Sequence, residues 1–262
     1  MSADEPQVSG SSSADESKDG AKKLGIVLLC LTLAAFAAIE GVSLVEAQRT
    51  ENLRREVGIA GGKCQFENRT PTLLKRVFGE SAPSFMDYPV IVGVTMSGEK
   101  IGDENLAKLP ALPDLVSLDL EGSQVTSDGL DAVSPLTSIR SLSLKDTPVT
   151  DITPLADMPH LEILELNFSR CRGEYLSGLS QLKSVTALLV GYLEVTDQEV
   201  VEIAKCSQLE ELSIAASALG EHGLQPLTSL QKLRTLVLSD ARFDSADLEA
   251  FKVARPDVEI IR

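Results

Sequence analysis

A spacing of apolar residues, L-x-x-L-x-L, recurs seven times and constrains the fold of this chain more than any other feature. Successive copies begin 24, 24, 22, 24, 24 and 24 residues apart. The first places of the pattern are occupied by Ile91, Leu115, Ile139, Leu161, Val185, Leu209 and Leu233. Self-similarity at a fixed period of this length predicts a solenoid, in which each unit buries its apolar face only by stacking on its neighbours.

A truncated copy follows the seventh unit after 25 residues. We assign Val258 and Ile261 to its first and fourth places. The sequence therefore predicts seven units and a terminal strand within residues 90–262.

Every unit of the pattern predicts the same order of secondary-structure elements. A short strand alternates buried and exposed side chains, and a capped helix or turn then leads to the next strand. The third interval is two residues short, and Asp151-Ile-Thr-Pro154 predicts a brief 3₁₀ turn there. Cys171 and Cys206 occupy places that are apolar in the other units, so we expect both in the core.

Two stretches carry a longer motif. Residues 115–130 read L-V-S-L-D-L-E-G-S-Q-V-T-S-D-G-L, and Val149-Thr-Asp151 repeats part of it. Over residues 22–262 the chain resembles bacterial, planctomycete-type membrane-anchored leucine-rich-repeat proteins. The later units depart from this family, because they keep the spacing of the apolar residues but lack the Val-Thr-Asp-x-Gly-Leu motif. The resemblance implies an α/β leucine-rich-repeat solenoid, a right-handed horseshoe of seven repeats and a terminal strand, with an N-terminal transmembrane helix. It implies a general binding role and no reaction.

The segment before the repeats begins with a polar tail and an apolar stretch. Residues 1–21 are rich in Ser, Asp, Glu and Gly, a composition typical of disorder. Residues 22–45 are predicted to be a transmembrane anchor, because the apolar run 24–45 is about 33 Å long as a helix. That length suffices for a hydrocarbon core of about 30 Å. Two alternatives remain open: a cleaved signal peptide, with Val45-Glu-Ala47 as a weak cleavage site, and a buried helix of a soluble fold.

The charges that flank the apolar run bear on its orientation. Lys22 and Lys23 adjoin it on the N-terminal side, whereas Arg49, Arg54 and Arg55 follow at a greater distance. Positive residues favour the cytoplasmic side of a membrane. Because the lysines lie closer, we expect the repeat domain on the extracytoplasmic side.

Residues 46–89 are predicted to form a juxtamembrane helix and an N-terminal cap. A solenoid exposes its core at the first unit unless a cap covers it. Residues 62–89 offer a short strand and an apolar helix, whose apolar residues are Leu73, Leu74, Val77 and Phe78. A flexible linker is the alternative, because Pro and Gly also suit one.

The formal net charge of −15 is concentrated in the repeats, where residues 90–262 hold 27 acidic and 14 basic side chains. A surface this negative repels phosphate backbones, so we predict no nucleic-acid partner and favour a basic protein.

The residue inventory argues against catalysis. The two histidines, His160 and His222, are isolated in connecting segments. The sequence contains no nucleophile–base pair, Gly-rich phosphate loop or metal-ligand cluster. We therefore predict no enzyme, no cofactor and no metal site.

The predicted binding surface is the concave face of the solenoid. The third, fifth, seventh and eighth places of each unit point outward there, and in the middle units they become apolar. These apolar residues are Ile163, Phe168, Ala187, Leu189, Tyr192 and Ala215. An exposed apolar patch with an acidic rim is a candidate partner site. We predict that it comprises Ile163, Phe168, Leu189, Tyr192, Glu165 and Glu211.

These residues support a membrane-anchored protein–protein interaction module, with the repeats as a monomeric solenoid. Two alternatives stay open. The apolar side chains can pack on one another without a partner, since scattered surface apolar residues are normal. The chain can also be a self-associating structural component of the cell envelope.

Overall fold

The computed structural model describes residues 37, 41–71, 74–76, 79, 84, 87–169, 178–193 and 195–262. They belong to two compact units. Unit 1 comprises residues 1–48 and 68–89, and unit 2 comprises residues 49–67 and 90–262. Unit 2 therefore contains all of the repeats.

Nine strands form one sheet, and their order in the sheet is their order in the chain. They are β1 Lys63–Arg69, β2 Tyr88–Thr95, β3 Ser117–Asp119, β4 Ser141–Ser143, β5 Ile163–Glu165, β6 Ala187–Leu189, β7 Glu211–Ser213, β8 Thr235–Val237 and β9 Glu259–Ile261. From β2 to β9 all neighbours are parallel. The seven predicted units and the terminal strand are thereby confirmed.

Alternation along each strand separates the core from the exposed face of the sheet. Leu164, in the middle of β5, has no exposed surface, whereas its neighbour Ile163 is 42% exposed. Leu142 and Leu188 flank Leu164 in register and are likewise buried. The buried leucines of successive units therefore form one continuous core.

The assignment of the last copy was wrong by one residue. Leu236 pairs with Ile260, so Ile260 and not Ile261 occupies the fourth place. Ile261 pairs with Val237 and is 44% exposed. A shift of one residue moves a side chain to the other face of a strand, and this shift accounts for the exposure of Ile261. Val258 is buried as expected.

The return segments are short helices. Three are α-helical: α2 Asp103–Leu106, α3 Asp197–Ile203 and α4 Ser245–Ala254. The others are 3₁₀-helical: Asp128–Ala132, Thr153–Asp157, residues 178–181 and Gln225–Ser229. The predicted 3₁₀ turn of the short unit is thus confirmed, with Pro154 in its first turn.

Cys206 lies in the core, as predicted. Its thiol donates a hydrogen bond to the carbonyl oxygen of Leu179 at 3.3 Å. Burial raises the pKa of Cys206 to about 12, so the thiol stays protonated and unreactive at neutral pH. Cys171 lies outside the described residues.

Residues 49–67 cover the first repeat within unit 2. They include the second half of helix α1, residues 41–59. Val57 and Ala60 have no exposed surface and join the repeat core. The Asn105 side chain donates a hydrogen bond to the Ala60 carbonyl oxygen at 3.0 Å. Gly61, at φ +92°, ends the helix, as glycine commonly does in the left-handed conformation.

In unit 1, Leu74 is buried, whereas the other apolar residues of the predicted cap helix, Leu73, Val77 and Phe78, lie outside the described residues. So do the polar tail 1–21 and most of the predicted membrane segment 24–45. Within the described part of the chain, no helix is both long enough and apolar enough to span a membrane.

Neighbouring units are linked by side chains at the start of the return helices. The Asp103 carboxylate accepts hydrogen bonds from the Thr126 backbone N–H at 2.8 Å and from the Thr126 hydroxyl at 2.7 Å. Asp197 likewise accepts from the Gly220 N–H at 2.7 Å. The next unit leaves space for the Asp103 carboxylate at Gly129, where a Cβ would lie 2.2 Å from Asp103 Oδ1. The Asp and Gly of the repeat motif therefore meet across successive units.

We expect Gly129→Ala to lower the free energy of unfolding by about 2 kcal/mol, because the new methyl group forces Asp103 away from Thr126. Urea denaturation followed by circular dichroism measures this loss. Gly58→Ala is the matched control, since a Cβ there meets nothing within 4 Å, and it should stabilise helix α1 by about 0.5–1 kcal/mol. An unchanged midpoint for Gly129→Ala would contradict the packing of Asp103 against Gly129.

Candidate functional site

The six predicted binding residues lie on three adjacent strands and the bends that follow them. Glu165 pairs with Leu189, and Ile163 is separated from Glu211 by Ala187 alone. Ile163 and Glu211 are exposed, but Leu189 is only partly exposed. Ala215, which the sequence placed in the exposed patch, is buried. The structure thus brings the predicted residues together on one face, with a smaller apolar surface than expected.

Phe168 and Tyr192 form the most prominent feature of this face. Their rings stack with centroids 4.2 Å apart and an angle of 9° between the planes. Phe168 is 48% exposed and Tyr192 is 47% exposed. Stacking thus covers one face of each ring, and a large aromatic surface remains in contact with solvent.

Both aromatic residues occupy the eighth place of the repeat, where the backbone is left-handed in every unit. The residues at this place, all with φ between +53° and +96°, are Gly98, Gly122, Asp146, Phe168, Tyr192, Ala216 and Asp240. This conformation costs about 1–2 kcal/mol for a residue with a Cβ, and Asp tolerates it better than most. A stacked aromatic pair of this kind stabilises the fold by about 0.5–1.5 kcal/mol. Bulky rings at this bend therefore bring the fold no clear gain in stability.

A polar network holds Glu165 and Asn167 in place beside the rings. The Glu165 carboxylate accepts from the Ser143 hydroxyl at 3.1 Å and from the Asn167 amide at 3.1 Å. The Asn167 side-chain oxygen accepts from the Gly191 N–H at 2.6 Å. Fixed side chains lose little conformational entropy on binding, so this part of the face is preorganised.

The exposed face of the seven repeat strands is acidic. Its acids are Asp119, Glu121, Asp146, Glu165, Glu211 and Asp240, and its one basic residue is Lys145. Lys145 Nζ lies 2.6 Å from Glu121 Oε1, and this hydrogen bond raises the pKa of Lys145, with smaller contributions from Glu165 and Asp119. Among the described residues of this face, no basic side chain forms an ion pair with the acids near the rings.

The described residues give little support for a catalytic or metal-binding site. His160 and His222 are exposed. Within the described ranges, no group of three or more His, Cys, Asp or Glu side chains is arranged to hold a metal ion. Two cavities near His222, of about 430 Å³ and 540 Å³, are lined by residues of the return helices, and neither is lined by Phe168 or Tyr192.

Sequence reasoning missed the shared backbone conformation at the eighth place. The sequence does indicate this conformation, because Gly or Asp occupies four of the seven positions. These residues favour left-handed bends. The repeat register placed Ala216 and Asp240 at the outward-facing eighth place of their units, after Tyr192 in the same row, but neither was included in the predicted site. Neither stands out by residue type.

Comparison with known proteins gives the fold. The chain is similar to an internalin (inlF) from Listeria monocytogenes, with a TM-score of 0.52 and 20% identity over 72% of this chain and 53% of that one. It thus spans about half the length of that internalin. An internalin C2 (inlC2) from the same species has a TM-score of 0.49 and 24% identity, over 66% of this chain and 80% of that one. A leucine-rich-repeat protein from Leptospira interrogans has a TM-score of 0.49 and 20% identity, with 60% and 39% covered.

No family model matches the sequence, and no curated protein matches it either. The fold assignment therefore depends on the parallel register of β2 to β9, on the repeat period and on the similarity to the inlF internalin. Together they show that this chain has the α/β solenoid fold of leucine-rich-repeat proteins.

Proposed function

We propose that the chain is a protein–protein interaction module whose partner binds the exposed face of the sheet at Phe168 and Tyr192. The observation that carries this proposal is the stacked, half-exposed pair in a strained backbone conformation. Strain that folding does not require is typical of functional positions. Exposed aromatic side chains are also the residue type that dominates binding energy in protein interfaces.

The charge of the face favours a basic protein as the partner. The face carries six acidic side chains, and its one lysine is paired with Glu121. Such a surface attracts positive partners and repels acidic ones. It also opposes self-association through this face, because two copies would bring like charges together. We therefore favour a monomeric solenoid over a self-associating envelope component.

We further propose that residues 24–45 anchor the chain in a membrane, with the repeat domain on the extracytoplasmic side and no catalytic role. Support comes from the apolar composition of this segment and from the exposure of Val42, Leu44 and Val45 at the start of helix α1. The full chain should then remain in the membrane pellet after carbonate extraction. Release into the supernatant would contradict the anchor.

Photocrosslinking tests the binding proposal. The full chain is produced with p-benzoylphenylalanine at Tyr192 and, as a control, at Val201 of helix α3, which is 46% exposed. We expect a basic protein to be captured from position 192 and not from position 201. The captured protein, once purified, must also bind the full chain saturably. Identical products at both positions, or a purified product that does not bind, would contradict the proposal.

A further inference from the structure

The ring of Tyr192 has one covered face and one open face. Phe168 lies in the preceding unit and covers the first face with nearly parallel planes. The opposite face is directed toward the following unit, where the equivalent residue is Ala216. The two units are joined at this point by a hydrogen bond from the Tyr192 N–H to the Ala215 carbonyl oxygen at 2.8 Å, so their spacing is that of neighbouring strands.

Beyond Ala216, the same row ends in the exposed carboxylate of Asp240. The Ala216 N–H donates to the Ser239 carbonyl oxygen at 2.8 Å, so the ladder continues regularly. Two strand spacings, about 9.5 Å, therefore separate the backbones of Tyr192 and Asp240. Ala216 contributes only a methyl group between them. These three residues define a slot, with Tyr192 and Asp240 as walls and Ala216 as floor.

The width of the slot matches one planar group. A flat group stacked on Tyr192 at a van der Waals distance of about 3.5–4 Å lies above Ala216. It continues the Phe168–Tyr192 stack, whose own spacing is 4.2 Å. The other end of the stack offers no such space, because Asp146 occupies the equivalent place of the preceding unit, directly beside Phe168.

The chemistry of the walls selects a planar cation. The face of an aromatic ring attracts positive charge, and the Asp240 carboxylate adds negative charge on the opposite side of the slot. An arginine guanidinium is a flat cation that stacks on aromatic rings, whereas a lysine ammonium is a compact cation that is not flat. No ion pair of Asp240 occurs among the described residues.

We infer that the slot binds an arginine side chain of the partner, with its guanidinium stacked on Tyr192 and its charge facing the Asp240 carboxylate. The inference deepens the proposed function and rests on it, since it names the group that a basic partner inserts beside the aromatic pair. Ala216 is required as the small residue that keeps the slot open.

Titration with a small probe tests this inference without the partner. N-acetyl-arginine amide is added to the full chain, and NMR follows the Tyr192 ring and the Ala216 methyl group. We expect saturable shifts with a dissociation constant of about 1–10 mM, as two weak contacts allow. The citrulline analogue, which has the same shape and no charge, should bind at least about tenfold more weakly. The lysine analogue, which has the same charge, should bind about threefold more weakly.

Two variants locate the site. Ala216→Leu fills the slot and should abolish the shifts at Tyr192, while the ring stack with Phe168 persists. Asp240→Asn keeps the shape and should weaken binding of the arginine probe about threefold to tenfold, with no change for citrulline. Equal binding of arginine and citrulline, or an unchanged affinity in Asp240→Asn, would overturn the inference. If a crosslinked partner binds the full chain but the probe does not, the proposed function stands and the arginine slot is wrong.

Discussion

Replacing Leu164 with alanine should lower the free energy of unfolding by about 3–5 kcal/mol. Leu164 has no exposed surface and stands between Leu142 and Leu188 in register. No unit buries its apolar face alone, so a cavity in the middle of the stack weakens the contacts with both neighbours. Urea denaturation followed by circular dichroism gives the change.

The adjacent residue provides the matched control. Ile163 precedes Leu164 in β5 and points to the opposite face of the sheet, where it is 42% exposed. Ile163→Ala should therefore cost less than about 1 kcal/mol. Equal losses of unfolding free energy for the two variants would contradict the separation of the core from the exposed face of the sheet. The proposed binding surface depends on this separation.

Replacing both Phe168 and Tyr192 with asparagine should weaken partner binding at least about 100-fold, as expected when central aromatic residues of an interface are lost. The same variant should keep the fold. Asparagine adopts the left-handed conformation more readily than Phe or Tyr, so relief of strain offsets the loss of the ring contact. We expect its free energy of unfolding to lie within about 1 kcal/mol of the wild type.

This separation of stability from binding distinguishes a functional pair from a structural one. If the rings served only to pack on each other, the asparagine variant would lose stability and nothing else. Arg140→Ala is a useful surface control, because Arg140 forms a half-exposed ion pair with Glu162 and is not part of the aromatic pair. Surface pairs of this kind contribute little to stability, so Arg140→Ala should leave both properties nearly unchanged.

The repeat period was sufficient to predict the fold. A strict interval of 24 residues, with one of 22, leaves only stacked units as a way of burying Leu118, Leu142 and their equivalents. The error at Ile261 arose where the pattern ends, because a single truncated copy offers two adjacent isoleucines and no further unit to fix the register. The register between β8 and β9 shows that Ile260 occupies the fourth place of the last copy.

The binding surface was only partly predictable. Alternation along the strands placed Ile163, Glu165 and Glu211 on the exposed face, because this depends on the period of a strand alone. The degree of exposure of Leu189 and Ala215 depends on the neighbouring side chains, which the sequence does not order in space. The Phe168–Tyr192 stack required the backbone conformation of two bends together with the 24-residue register between them.

The most direct measurement is calorimetric titration of the purified photocrosslinked partner into the wild-type full chain and into the Phe168→Asn/Tyr192→Asn variant, with the fold of each confirmed by circular dichroism. Our account predicts saturable binding to the wild type and a dissociation constant at least about 100-fold higher for the variant. Equal affinity for both folded proteins would show that the aromatic pair is not the binding site.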